Sequence, residues 1–209
     1  VLLGVVHLAL VPLVLWAIPK AQVGPTQARP SGGMGILEAT RTWQFWLLLA
    51  VYAICGFDDF FVSTHVVAFA QDRGLGTFVA GNLLAVMGLT ALVGVFATGA
   101  ISDRLGPVWP TAASFVIRIL AFGLLMLDQS PISVAIFALA FGVTFSVTAP
   151  LTIMFVSEHF GLRHLGSLTG LITLVHHMCG GAGAYLGSAI FDSTNSYDVV
   201  FPIMLVSSM

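Results

Sequence analysis

Charge is scarce in this sequence. Only 8% of its 209 residues are Asp, Glu, Lys or Arg, against about 25% in an ordinary soluble domain, and 58% are hydrophobic. The mean hydropathy is +1.02. So few charged groups cannot cover a water-exposed surface, and the chain is predicted to lie in lipid. Seven basic residues against nine acidic ones leave a net charge of -2, with no basic stripe, which excludes a nucleic-acid partner. Cysteine is nearly absent: Cys55 and Cys179 both sit in apolar runs, which excludes a secreted disulfide framework and offers no metal-ligand spacing. There is no G-x-S-x-G turn, no H-E-x-x-H helix and no phosphate loop, so neither an enzyme nor a cofactor or metal is expected.

What is present are long, mostly apolar runs. A spanning helix needs about 20 mostly apolar residues, and such stretches lie near 1–18, 44–69, 78–101, 108–127, 132–156 and 166–190, with a shorter run from 198 onward. The expected fold is an all-α, multi-pass membrane protein. The sequence begins without Met, its first stretch lacks the charged start of a signal peptide, and its last run is short for a span. These features suggest a piece of a longer polypeptide. Lys20, Arg29 and Arg41 fall in the first connection, Arg104 in the third and Arg163 in the fifth, while the alternate loops hold only Arg73. The positive-inside bias therefore puts the 19–43 segment and the Arg104 and Arg163 loops in the cytoplasm. PKAQVGPTQARPSGGMG, within that segment, reads as a flexible linker.

GAISDRLG, residues 99–106, stands out as a charged, glycine-bounded turn between two apolar stretches. Its glycines suit close approach of helix ends, Asp103 suits a cap on the next helix, and Arg104 follows the positive-inside preference. Here the sequence resembles the major facilitator superfamily, whose G-x-x-x-D-R-x-G-type loop matches Gly99, Asp103, Arg104 and Gly106. A second block, from Ser157 to Asp198, resembles the monocarboxylate-transporter-like (oxalate/formate antiporter-like) branch at Glu158, Phe160, Gly161, Gly166, Gly170, Gly181, Gly187 and Asp192. The resemblance makes 1–18 the end of helix six, 19–43 the cytoplasmic central linker, and 44–209 the C-terminal six-helix bundle of a twelve-helix fold, its last helix incomplete and its N-terminal half missing. It implies a secondary active transporter in the cell (inner) membrane, moving a small solute such as a monocarboxylate, with protons as a further partner, by symport or antiport through alternating access. An efflux carrier for other small molecules, or a non-transporting receptor or assembly subunit, would reuse the same fold. Such carriers often place an Arg within helix eight, and NLLAVMGLTALVGVFATG has none.

Ionisable groups at membrane depth face a cavity or a partner. Asp58 and His65 stand two turns apart in FDDFFVSTHVVAF, a spacing that suits a proton or substrate relay; alternatively, Asp58 or Asp59 pairs with Arg118. Arg118 has the fork that grips a carboxylate, although the resemblance puts its helix outside the cavity. Thr173, His177 and Tyr185 recur at four and eight residues on one helix face, with His176 beside them, as substrate or proton candidates. Gly181, Gly183 and Gly187 are expected to let helices pack closely. Pro150, among Thr144, Ser146, Thr148 and Thr152, is expected to kink a gate helix.

Overall fold

The computed structural model describes Pro12 and residues 32–209. The expected end of helix six over 1–18, and linker positions 19–31, lie outside the described residues apart from Pro12. Eight helices follow in order: α1 (Ile36–Ala39), α2 (Trp43–Asp72), α3 (Thr77–Leu105), α4 (Val108–Leu127), α5 (Pro131–Phe145), α6 (Thr148–Phe160), α7 (Leu165–Thr194) and α8 (Val200–Ser207).

Their boundaries follow local chemistry. The Thr42 hydroxyl accepts from the Phe45 N–H at the start of α2, and Ser130 does the same for Ser133 at the start of α5, with Pro131 in the first helical position. Asn195 closes α7 in a left-handed conformation with φ 52°. Asp128, in the exposed turn before α5, is held below the usual carboxylate range by hydrogen bonds from Ser133 and then Ser130. The stretch 132–156, read as one span, is broken at Ser146–Val147 into α5 and α6. Pro150 explains the break, because it has no N–H to offer the carbonyl four residues back and its ring crowds that carbonyl. Counting 131–160 together, four helical stretches among the described residues are long and apolar enough to cross a membrane: Trp43–Asp72, Thr77–Leu105, Val108–Leu127 and Pro131–Phe160. α7 is as long as α2, but its glycines and histidines dilute its apolar character.

The 99–106 stretch differs from its expected form. Gly99 to Leu105 continue α3, and only Gly106 turns, at φ +78°. Asp103 is exposed on that last turn, and Pro107, with no side-chain bond, occupies the cap of α4. Asp103 is therefore no cap, because the two-residue connection leaves its side chain on the wrong helix. Gly99 has open space where a side chain would go, with nothing packed against it among the described residues.

The linker's described end is structured. The Met34 N–H donates to the Phe160 carbonyl at 2.9 Å, Gly33 and Gly161 form an isolated bridge, and Ala39 packs with Phe45, Leu48, Tyr52, Val156, Phe160, Leu168 and Ile172. A larger apolar cluster fills the other end of the bundle around Phe61, Phe69, Phe122, Phe137, Phe141 and Phe201. Phe122, Phe137 and Phe141 meet there with centroids 5.5–5.6 Å apart, contacts that add to plain area burial.

Between these clusters α2 and α7 form the most extensive helix pair. A Cβ on Gly56 would strike the His176 carbonyl, one on Gly183 the Phe57 carbonyl, and one on Gly187 the His65 ring at 2.6 Å. Small residues thus bring the backbones together, as expected for Gly183 and Gly187. Gly181 does not take part: it is exposed, with nothing near its missing side chain, because it lies about 100° around the helix from Gly180. Gly94 against Val143, and Gly142 against Met87 and Thr90, do the same work for α3 and α5.

Gly56→Ala and Gly94→Ala are expected to destabilise the detergent-purified protein by about 1–3 kcal/mol through overpacking. Gly181→Ala should leave stability unchanged or raise it by up to about 1 kcal/mol, the helix preference of Ala over Gly. Thermal unfolding of the three variants checks this; equal melting temperatures would contradict the packing account.

Candidate functional site

The polar groups of the bundle gather about midway along α2, between its two apolar clusters. Arg118 of α4 is wholly buried. Its guanidinium donates to the Asp59 carboxylate at 2.6 Å, to the Cys55 carbonyl at 3.3 Å and to the Thr144 carbonyl at 3.2 Å. The Phe141 ring lies 4.9 Å from its centre and the Phe115 ring 5.9 Å, and its Nε–H has no partner among the described residues. Thr144 sits in the last turn of α5, where carbonyls lack partners within their own helix. The break before α6 thus supplies an acceptor for the buried cation. On the other side of the break the Tyr52 hydroxyl donates to the Thr148 carbonyl at 2.9 Å, which also accepts from the Thr152 hydroxyl.

Of the two adjacent aspartates, Asp59 is the partner of Arg118. Asp58 turns toward α8 and accepts from Ser207 at 3.0 Å and Ser208 at 2.8 Å. His65, two turns further on, is also buried but bonds elsewhere. Its Nε2 lies 2.9 Å from the Ala184 carbonyl and its Nδ1 3.1 Å from the Tyr197 hydroxyl. A carbonyl only accepts, so the Nε2 carries hydrogen, and in the neutral ring Nδ1 accepts from Tyr197. No hydrogen bond joins Asp58 to His65 among the described residues.

Tyr197 also lines a polar cavity of about 280 Å³ at the end of α2 away from the linker, together with Asp72, Arg73, Asn195 and Asp198. Burial pushes the Tyr197 phenol up, so it stays a donor to His65. Asp198 is held below the usual carboxylate range, chiefly by Gln129, with Arg73 adding its charge at 3.0 Å. These two contacts tie three inter-helix connections together at one end of the bundle.

On α7 the candidates divide by face. His176 is half-buried, with Nδ1 3.1 Å from the Tyr52 carbonyl. Thr173, His177, Gly181 and Tyr185 form an exposed stripe, with Tyr185 76% exposed. The His177 ring is turned back onto the Thr173 carbonyl at 2.8 Å. Asp103 and Arg104 lie apart from both groups, at the end of α3. Sequence reasoning missed Ser207, Ser208 and Tyr197, whose partners are far away along the chain and leave no local pattern; it named Thr144 for its hydroxyl beside Pro150, whereas it is the Thr144 carbonyl that meets Arg118.

Because removing one member of a buried pair strands the other, Arg118→Gln and Asp59→Asn are each expected to cost about 3–5 kcal/mol. The double variant should regain most of that loss, and Asp58→Asn should cost less, since its partners are hydroxyls that pair equally with an amide. A double-mutant cycle in thermal or denaturant unfolding checks this, and additive single losses would refute the pairing.

Comparison with known proteins places this geometry. A family model described as uncharacterised MFS-type transporter YbfB matches residues 1–208. The uncharacterised MFS-type transporter YcxA of Bacillus subtilis (strain 168) is 26% identical over 217 residues, covering 98% of this chain and 52% of the relative. Monocarboxylate transporter 13 of Rattus norvegicus is 27% identical over 146 residues, covering 66% of this chain and 33% of the relative, and the Bos taurus protein of that name matches to the same extent. The chain thus spans about half or less of the length of the relatives it matches. With apolar spanning helices and a family match along nearly its whole length, this chain belongs to the MFS-type transporter family.

Proposed function

We propose that the chain forms the C-terminal half of a secondary active transporter for a small organic anion such as a monocarboxylate, working by alternating access with an N-terminal half of the same polypeptide. The observation that carries this reading is the exposed Thr173–His177–Gly181–Tyr185 stripe on α7. Elsewhere the exposed surface of the long helices is dominated by Leu, Val, Ile and Phe, as a lipid face requires. A line of hydroxyl, imidazole and phenol groups there suits a water-filled path instead. The Tyr185 hydroxyl can donate to a carboxylate oxygen of a small solute, with the Thr173 hydroxyl and the His177 imidazole making the rest of the path polar. The monocarboxylate transporters among the relatives support that class of solute.

Arg118 is left out of solute binding in this reading, because its charge is already matched by Asp59. Asp103 and Arg104, exposed at the end of α3, would act at the cytoplasmic surface. The break at Ser146–Val147, with Pro150 just beyond it, would let α6 swing against α5 as a gate. Proton coupling is assigned to His65, which the Tyr197 hydroxyl joins to the polar cavity lined by Asp72 and Asp198. Protonating Nδ1 would turn it from acceptor to donor and reverse the Tyr197 bond. The second reading, an efflux carrier for uncharged or cationic small molecules, draws support from the lack of any charged side chain in α3 before its last turn.

Uptake of labelled monocarboxylates by the intact protein in proteoliposomes tests the proposal. His177→Ala and Tyr185→Phe are expected to weaken solute affinity by about tenfold, one lost hydrogen bond to a charged group, without altering thermal stability. Tyr197→Phe should diminish uptake driven by a pH gradient while sparing solute exchange. Undiminished affinity in both α7 variants would overturn the site, and transport of uncharged solutes alone would favour the second reading. Cysteines placed beside Arg104 and Arg163 are expected to react only from the cytoplasm, and one at Gln129 only from outside; labelling of all three from one side would refute that orientation.

A further inference from the structure

Three side chains with metal-binding atoms meet beside the Arg118–Asp59 pair. The donor atoms of Cys55, Asp59 and His176 all lie within 4.8 Å of one another. Cys55 and Asp59 stand one turn apart on α2, and the thiol lies 3.5 Å from the carboxylate Oδ2. His176 comes from α7, brought close by the contact at Gly56, where no side chain would fit against the His176 carbonyl.

We propose that Cys55, Asp59 and His176 form a binding site for one divalent transition-metal ion of the zinc class. Sulfur, imidazole nitrogen and carboxylate oxygen are the donor set of such borderline-soft ions, and three protein ligands leave a fourth position open. His176 and Asp59 are each already oriented by an outer contact, as metal ligands commonly are. The His176 Nδ1 lies 3.1 Å from the Tyr52 carbonyl; it therefore carries hydrogen and leaves the Nε2 lone pair free. Arg118 grips the Asp59 Oδ1, leaving Oδ2 for the ion. Zinc bond lengths put ligand atoms about 3.3–3.7 Å apart in a tetrahedron, so roughly 1 Å of side-chain adjustment closes the site.

Charge also favours the ion. A Cys55 thiolate with the Asp58 and Asp59 carboxylates supplies three negative charges, which balance Arg118 and a divalent cation and leave this part of the interior neutral. Cys55 and Asp59 are buried and His176 is half-buried, so the ion arrives from the α7 side. There the exposed His177 ring stands 5.3 Å from that of His176, as a first stop on the way in. The bound ion would bridge α2 and α7 at their closest packing, whatever solute the protein carries.

Cobalt binding to the intact, detergent-purified protein tests the site without any transport assay. One equivalent of Co²⁺ should give visible d–d bands and a near-ultraviolet thiolate-to-cobalt band, both displaced by Zn²⁺. His176→Gln should weaken binding at least tenfold, and Cys55→Ser should abolish the thiolate band, while Cys179→Ser keeps it. Asp59 is left intact because its loss would strand Arg118. Should Cys55→Ser fail to fold, as judged by size-exclusion profile, the Cys179→Ser protein still decides. There the thiolate-to-cobalt band, which can come only from Cys55, must persist and be displaced by Zn²⁺. Absence of a thiolate band in the unmodified or the Cys179→Ser protein, or its survival in folded Cys55→Ser, would overturn the proposal.

Discussion

A guanidinium sealed inside an apolar bundle constrains everything around it. Arg118 cannot lose its proton, and leaving it bare in this interior would cost several kcal/mol. Three helices supply what it requires: α2 gives the Asp59 carboxylate and the Cys55 carbonyl, α5 gives the Thr144 carbonyl and the Phe141 ring face, and its own α4 gives the Phe115 ring. The break that Pro150 imposes after α5 leaves the Thr144 carbonyl without a helical N–H, and Arg118 takes it up.

Much of this was legible in the sequence because lipid leaves few choices. A mostly apolar run of about 20 residues must form a helix that satisfies its own backbone, so the stretches expected at 44–69, 78–101, 108–127 and 166–190 correspond to the helices α2, α3, α4 and α7 within a few residues, although α7 is not among the four apolar enough to span. Thr42 and Ser130 mark two helix starts by residue type alone. The 99–106 stretch was misread as a turn because Gly, Asp and Arg together suggest one. Asp and Arg tolerate a helix end in water just as well, and only Gly106 has the positive φ that demands glycine.

Side-chain partners were less legible, for a geometric reason. Adjacent helical residues point about 100° apart, so Asp58 and Asp59 must face different neighbours, but which faces which depends on how α2 is rotated in the bundle. An apolar sequence carries no periodicity that fixes this rotation. Gly181 illustrates the same limit: within CGGAGAYLG it looks equivalent to its neighbours, yet Gly180, Gly183 and Gly187 face α2 while Gly181 faces away. The Ser207 and Ser208 contacts to Asp58 span about 150 positions, a separation that no local pattern encodes.

α7 shows how one helix serves two solvents. Toward α2 it presents glycines, and the close approach they permit lets the Tyr52 and Ala184 carbonyls reach the imidazoles of His176 and His65. A bulkier face would move α7 outward by the depth of a side chain and break both bonds, so packing and polar contact stand or fall together. On another face Thr173, His177 and Tyr185 are exposed, with the His177 ring edge-on to Phe60 of α2 at 5.4 Å. Their polar groups would be costly against lipid. The rotation of α7 that seats its glycines on α2 is thus the same rotation that turns its hydroxyl and imidazole groups away from the core, and a change that unseated the glycines would disturb the polar stripe as well.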